Sequence, residues 1–420
     1  MSMAALSLLF LIAVLIIGFV RKVNMGFLAM GMALIIARLG GIADKTVIAS
    51  FSTNLFITLV GPAFLFCMAV NNGTIDLMAK KLLRLVGRQL WCIPLMISLI
   101  TFALSALGCG NVPTFAIILP LGMALAGEMK INVIAMGLII TAACNFGCMS
   151  PISNGGIIAA GLIEQSKFAG QYSWELFAYC SVVQVVLTLA VFFVYKMWRP
   201  QVEILSIFQE KSPAFNRDQW ITIIAIAAVI FAVFVYRVNI GLGAPLAAIV
   251  LCIFGVANDK ASIKIMPWGT FILICGVNML MAVIRKLGGI DLLVSGLTSV
   301  MNDGTAAPIT SLTAGAMSWF SSTTGVVMPT LIPTVPGILE KFPANSYCTL
   351  VAGIIISSFF AAFSPASTGG AGIMAQYAIF SKNAREQDTN KLFIRLFLTS
   401  IVWVVISVLF AWVGVYSFLA

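Results

Sequence analysis

SPISNGG at 150–156 and SPASTGG at 364–370 are one phrase written twice, with Ser150 and Ser364 standing 214 residues apart. Two more pairs keep nearly the same spacing. RKVNMG at 21–26 matches YRVNIG at 236–241, and GTIDLM at 73–78 matches GGIDLL at 288–293, each 215 residues apart. A repeat at about half the length of a 420-residue chain is the mark of a duplication. The halves run over 1–197 and 218–420, and the polar stretch 198–217 links them.

The setting of the phrase decides the fold class. Hydrophobic residues make up 61% of the chain and charged residues 9%, and mean hydropathy is +1.09. A soluble domain carries about 25% charge and cannot hide so much apolar surface. Apolar runs of about 17 residues or more recur along the chain, each long enough to approach a ~30 Å hydrocarbon core. The runs are continuous and do not alternate, which excludes a transmembrane barrel. The expected fold is an all-α polytopic membrane protein. The opening MSMAALSLLFLIAVLIIGFVRK lacks a basic start and an A-x-A site, so it reads as an uncleaved first helix.

Each half parses alike. Half one has apolar segments at 3–20, 25–43 and 52–71, then an amphipathic stretch with Lys80, Lys81, Arg84 and Arg88 expected along the membrane surface. A paired segment, 89–127, folds at GCGN (108–111). A long segment, 132–163, is interrupted by CNFGCMSPISNGG, and 173–195 closes the half. Half two repeats this with segments between 219 and 284, a pair at 304–339, an interrupted segment at 346–379, and 394–418. The pair is either two spans or one re-entrant hairpin; both return the chain to its starting side. Five further crossings per half make the count odd, so the second repeat is inverted relative to the first. With both termini outside, the cytoplasm receives Arg21, Lys22, Lys80, Lys81, Arg84, Arg88, Lys130, Lys196, Arg199, Lys211, Arg217, Lys260, Lys264, Lys382, Arg385, Lys391 and Arg395. That is most of the 24 basic residues, as the positive-inside rule requires.

Broken backbone in a bilayer must be buried in protein or line a cavity. In inverted-repeat transporters, interruptions at matching positions point to the binding site. There are four here: the fold-back tips GCGNVPT (108–114) and SSTTG (321–325), and the breaks at 144–156 and 363–370. Helix N-termini at such places favour an anion, and freed carbonyls with Asn, Ser and Thr oxygens surround a hard cation. Ser150-Pro151 and Ser364-Pro365 suit this role because proline removes a backbone donor.

What is missing also narrows the function. There is no histidine, which removes His-based metal sites, His-containing triads and His proton relays. The acidic residues fall at segment ends and in loops, whereas proton pumps place a carboxylate within the membrane. Asp76 and Asp291 open the surface helices and read as capping residues. Cys144 and Cys148 share a helix face and read as small buried residues. The net charge of +10 reads as loop topology, not as affinity for nucleic acid. No GxxxxGK[ST] occurs, so ATP-driven pumping is not expected. An intramembrane enzyme would need a nucleophile-base pair or an acidic dyad, and neither is found. A channel is a further alternative that the broken, inverted repeat argues against.

At these motifs the sequence resembles the ion transporter superfamily, which includes the divalent anion/Na⁺ symporters. Over its first 160 residues it is similar to MatC-type dicarboxylate carriers, through VNMGFLAMGMALI, FLFCMAVNNGTIDLM and MGLIITAACNFGCMSPISNGG. The resemblance implies a homodimer working as an elevator. Segments 3–71 and 219–284 would form the scaffold; the hairpins, broken helices, 173–195 and 394–418 would move. It implies Na⁺ held by Gly108, Gly110, Asn111, Asn145, Cys148 and Ser150, and again by Ser321, Thr324, Ser364 and Thr368. It implies substrate contacts from Asn111, Val112, Ser150 and Pro151, and from Ser322, Thr323, Ser364 and Pro365. Where that family has Ser-Asn-Thr tips, this chain has Cys109-Gly110-Asn111-Val112 and Ser321-Ser322-Thr323. The expected activity is inward symport of malonate or a C4-dicarboxylate with Na⁺ and no other cofactor. The alternative is H⁺-coupled or exchange transport of another anion. The expected location is a bacterial inner membrane, inferred from short loops.

Overall fold

Asparagine ends the short polar links and starts the helices that follow. Asn24 Oδ1 accepts from the Gly26 N–H at 2.9 Å, and Asn239 Oδ1 from the Gly241 N–H at 2.8 Å. Asn132 and Asn258 accept likewise from Ala135 and Ala261, each at 2.9 Å. Asn216 forms a full capping box with Gln219. Each such cap is worth about 1 kcal/mol where the chain re-enters apolar surroundings.

The computed structural model describes residues 2–21, 23–84, 89–164, 166, 168, 170, 173–200, 213–380 and 386–417. Among them every regular element is helical. The first half contains α1 (Met3–Arg21), α2 (Met25–Leu39), α3 (Asp44–Ala49), α4 (Thr53–Asn71) and α5 (Thr74–Arg84). The fold-back pair α6 (Ile93–Leu104) and α7 (Asn111–Glu128) follows, then α8 (Val133–Gly147), α9 (Asn154–Ile163) and α10 (Ser173–Val194). The second half runs in the same order. It contains α11 (Arg217–Tyr236), α12 (Ile240–Ile253), α13 (Asp259–Ile265), α14 (Trp268–Lys286) and α15 (Gly289–Thr298). Its fold-back pair starts with α16 (Ala306–Ser318) and returns through α17 (Met328–Leu331) and α18 (Val335–Lys341). Then come α19 (Tyr347–Ala361), α20 (Thr368–Phe380) and α21 (Glu386–Trp412). The chain is a multi-pass, all-helical membrane protein. Six described helices are long and apolar enough to cross a bilayer: Thr53–Asn71, Leu90–Cys109, Asn111–Glu128, Ser173–Val194, Trp268–Lys286 and Lys391–Trp412.

The helices gather into two groups. In the first, α2 packs on α14 and α4 on α12, so each half supplies one member to each pair. Glycine makes both crossings possible. A Cβ on Gly26 would collide with the Ile272 backbone, and one on Gly276 with the Gly26 backbone; Gly61 and Gly241 meet in the same way. Gly26 and Gly241 stand 215 residues apart, as do Gly61 and Gly276. Small residues let membrane helices approach backbone to backbone, where dispersion replaces the absent hydrophobic drive. α1 packs on α2 and α15 as part of this group.

The second group is built around α8 and α19. All 15 residues of α19 are buried, the pattern of a helix surrounded on every side. Phe146 of α8 meets Phe359 and Phe360 of α19 edge-on, at 5.7 and 5.5 Å. The fold-back pairs and α10 and α21 wrap these two helices.

Several details depart from the sequence parse. Short helices α3 and α13 occupy what reads as loops. Asp76 does not cap α5: Asn72 accepts the Thr74 N–H at 3.1 Å, and Asp76 pairs with Lys80 at 2.9 Å. On α5, Ile75 and Ala79 are buried and Lys81 lies over the Phe215 ring at 4.8 Å. Lys22, Arg88, Lys211, Lys382 and Arg385 lie outside the described residues.

Candidate binding site at the paired helix breaks

The two breaks have one backbone design. Ser153 N–H donates to Ser150 O, and Ser367 N–H to Ser364 O, both at 2.9 Å. Gly156 N–H donates to Cys148 O at 3.0 Å, and Gly370 N–H to Ala362 O at 3.1 Å. A Cβ on Gly156 would collide with the Ser150 carbonyl, and one on Gly370 with the Ser364 carbonyl. Glycine is therefore needed at both places, as the close approach of the helix start to the turn demands.

Each fold-back tip is tied to its break. Ser105 Oγ donates to Cys144 O at 2.7 Å, and Ser318 Oγ donates to Ser358 O at 2.9 Å. At the first tip Gly108 and Gly110 take φ +110° and +78°, conformations that other residues rarely adopt. Ser153 Oγ donates to Ser105 O at 2.7 Å, and Asn154 Nδ2 donates to Asn111 Oδ1 at 3.0 Å. At the second tip Ser322 Oγ accepts from Gly325 N–H at 3.1 Å. Ser321 Oγ donates to Met317 O at 2.6 Å, and Thr323 Oγ1 donates to Ser358 O at 3.2 Å. These two hydroxyls spend their protons on backbone carbonyls, which leaves lone pairs to offer elsewhere.

A cavity of about 460 Å³ opens between the two helix groups at this place. Its wall includes Asn111, Asn145, Ser321, Ser322, Thr323, Thr324 and Thr368, all singled out from the sequence. Asn24, Gly269, Phe320, Ala366 and Ser367 also line it and were not. Asn24 ties α2 to α14 within the first group, capping α2 while its Nδ2 donates to Gly269 O at 3.4 Å. Its signal in the sequence was its place as a capping Asn repeated at 239; Ser367 lay inside the second phrase, one residue before Thr368. Among the described residues no charged side chain lines this cavity.

The remaining candidates sit elsewhere. Gly108, Gly110 and Val112 face a much smaller space of about 30 Å³, shared with Asn154 and Thr58. Ser150 and Ser364 are buried at the turning points of the breaks, and Ser364 Oγ donates to Trp319 O at 3.4 Å. Pro151 is half-buried and Pro365 buried, shaping the turns. Cys148 is fully buried, its Sγ donating to Asn145 O at 3.0 Å.

Residues 1–148 match the family described as dicarboxylate carrier protein MatC N-terminus. The N-terminal third is MatC-like. In fold the chain is similar to the YdaH transporter of Alcanivorax borkumensis, whose crystal structure was described as revealing an unusual topology. The TM-score is 0.59 and identity 12%, over 88% of each chain. A search of curated proteins finds no match. Over residues 1–148 the chain is thus similar to a carrier family, and over most of its length its fold is similar to that of a transporter.

Proposed function

We propose that this chain carries a small dicarboxylate, malonate or a C4 acid, together with Na⁺, by moving one helix group against the other. The observation that carries the reading is the uncharged oxygen-rich cavity between the groups, walled by a fold-back tip and a helix break. The MatC-like third supports a dicarboxylate as cargo. With no Arg or Lys on the described lining, two carboxylates gain their stabilisation from helix N-termini and from a bound cation. α7 begins at Asn111 with no side chain capping its first turn, and α20 begins at Thr368 on the wall. Hydroxyl oxygens whose protons are already committed suit Na⁺, a hard cation that takes neutral oxygen ligands.

An elevator is supported by the division of the wall. Asn24 and Gly269 come from the glycine-crossed group; Asn111, Asn145 and the 321–324 tip come from the other. Gly325 of that tip abuts Leu273 across the seam so closely that a Cβ there would overlap its side chain. Bound charge in the cavity makes crossing the bilayer costly unless the net charge is offset, so substrate and Na⁺ travel together.

The test is thermal unfolding of the purified protein with succinate in NaCl and in choline chloride. A ligand at one hundred times its dissociation constant stabilises by about 2.7 kcal/mol. The expected result is a succinate-dependent rise in Tm in NaCl alone. An equal rise in choline would remove Na⁺ from the proposal and favour coupling to H⁺ or exchange.

A further inference from the structure

A second cavity, of about 660 Å³, lies on the outer side of the α8–α19 group, between α10 and α21. The substrate reading makes no use of it. Its lining is apolar except at one end. Leu138 of α8 forms part of the lining, and Leu398, Val402 and Ile406 of α21 line one side. At the polar end stand Lys391 and Arg395, one helical turn apart on that same face, with Tyr195 opposite. The Arg395 guanidinium lies 5.9 Å from the centre of the Tyr195 ring, a cation–π distance that holds it at the mouth of the groove. Val194, Leu398 and Val402 are exposed, so the groove opens toward hydrocarbon, not water.

From these features we infer that the groove binds an anionic phospholipid, its phosphate at Lys391 and Arg395 and an acyl chain along α21. Length supports this occupant. Arg395 to Ile406 is eleven residues, about 16 Å of helix at 1.5 Å per residue, or half of a ~30 Å hydrocarbon core. The groove thus spans one leaflet, with its charges where headgroups lie. Charge supports it too: two cations share the mouth, no acidic residue lines the groove among the described residues, and neither cation has an ion-pair partner among them. Topology alone would ask for basic residues in this region, but not for an apolar cleft one leaflet deep leading away from them. Basic pockets between membrane helices are a known chemistry for acidic headgroups.

The full-length protein in neutral detergent is titrated with phosphatidylglycerol or with phosphatidylcholine of the same chains, and bound lipid is counted by native mass spectrometry. The wild type is expected to retain phosphatidylglycerol preferentially. Each basic residue near an acidic surface is worth about a factor of five. The double variant Lys391→Gln, Arg395→Gln therefore loses about twenty-five-fold in phosphatidylglycerol retention, and Lys391→Arg keeps it. Val402→Trp, which fills the groove and leaves both charges, releases the lipid as well. Equal retention of the two lipids by the wild type overturns the inference, as does a double variant that binds like the wild type. So does a dimer that dissociates on these substitutions without loss of lipid, since the occupant is then a second copy of the chain.

Discussion

Replacing Gly370 with Ala tests the design of the helix break at a single carbon atom. The new Cβ meets the carbonyl oxygens of Ser364 and Phe363 well inside the 3.4 Å where ordinary contact begins. Those carbonyls belong to the turn itself and have no free rotamer to retreat into, so the first turn of α20 must withdraw by about 1 Å. Overpacking of this kind costs about 1–3 kcal/mol. Weakening the 3.1 Å Gly370 N–H to Ala362 O bond adds about 1 kcal/mol. The same shift carries Ser367 and Thr368 out of the cavity wall. Two lost contacts to charged ligands, at about 1.5 kcal/mol each, weaken binding by about a hundredfold. Thermal unfolding and substrate titration on one preparation separate the two effects: a modest fall in Tm and a large fall in affinity are expected. Gly156→Ala, which collides with Ser150 and Met149 carbonyls, should behave alike. Gly31→Ala is the control. It has nothing within 4 Å and should be neutral or stabilising by about 0.5–1 kcal/mol. Wild-type affinity in Gly370→Ala would refute the assignment of this break to the site.

Three further outcomes are expected. Asn111→Ala and Asn154→Ala should each lower uptake at least tenfold. The double variant should be no worse than either, because the two side chains act through one 3.0 Å hydrogen bond. Gly26→Val should lower Tm sharply and Gly61→Val equally so, since each forces apart a backbone-to-backbone crossing; a wild-type Tm in either would contradict the packing described. A cysteine at Arg21 should react with a membrane-impermeant reagent only from the cytoplasmic side, and labelling from outside would reverse the proposed orientation.

The position of the candidate site was legible because the interruptions are repeated. SPISNGG and SPASTGG announce a broken helix in a setting where broken backbone is costly. Which residues of a break face the cavity was not legible. Ser150 and Ser364 precede the prolines and look like ligands, yet the turn buries them, and Ser367 and Thr368 emerge beyond it. Sequence reports that a helix stops there, not the direction in which the chain leaves. Asn24 was visible only as a repeat landmark, because its second role depends on Gly269, a residue 245 positions away. Gly61 and Gly276 were silent for the same reason: a lone glycine in an apolar run acquires meaning only from the backbone that crosses it. The short helices α3 and α13, at 6 and 7 residues, lie below the length at which periodicity can be read.

The central claim is Na⁺-coupled carriage of a dicarboxylate through an uncharged, oxygen-lined cavity. It is tested most directly by uptake of labelled malonate and succinate into proteoliposomes, with an inward Na⁺ gradient and then with choline in place of Na⁺. The account predicts accumulation of at least one of the two acids under the Na⁺ gradient and none in choline. Accumulation of equal rate and extent in choline would contradict it, and the oxygens at Asn111, Asn145 and the 321–324 tip would then need another partner than Na⁺.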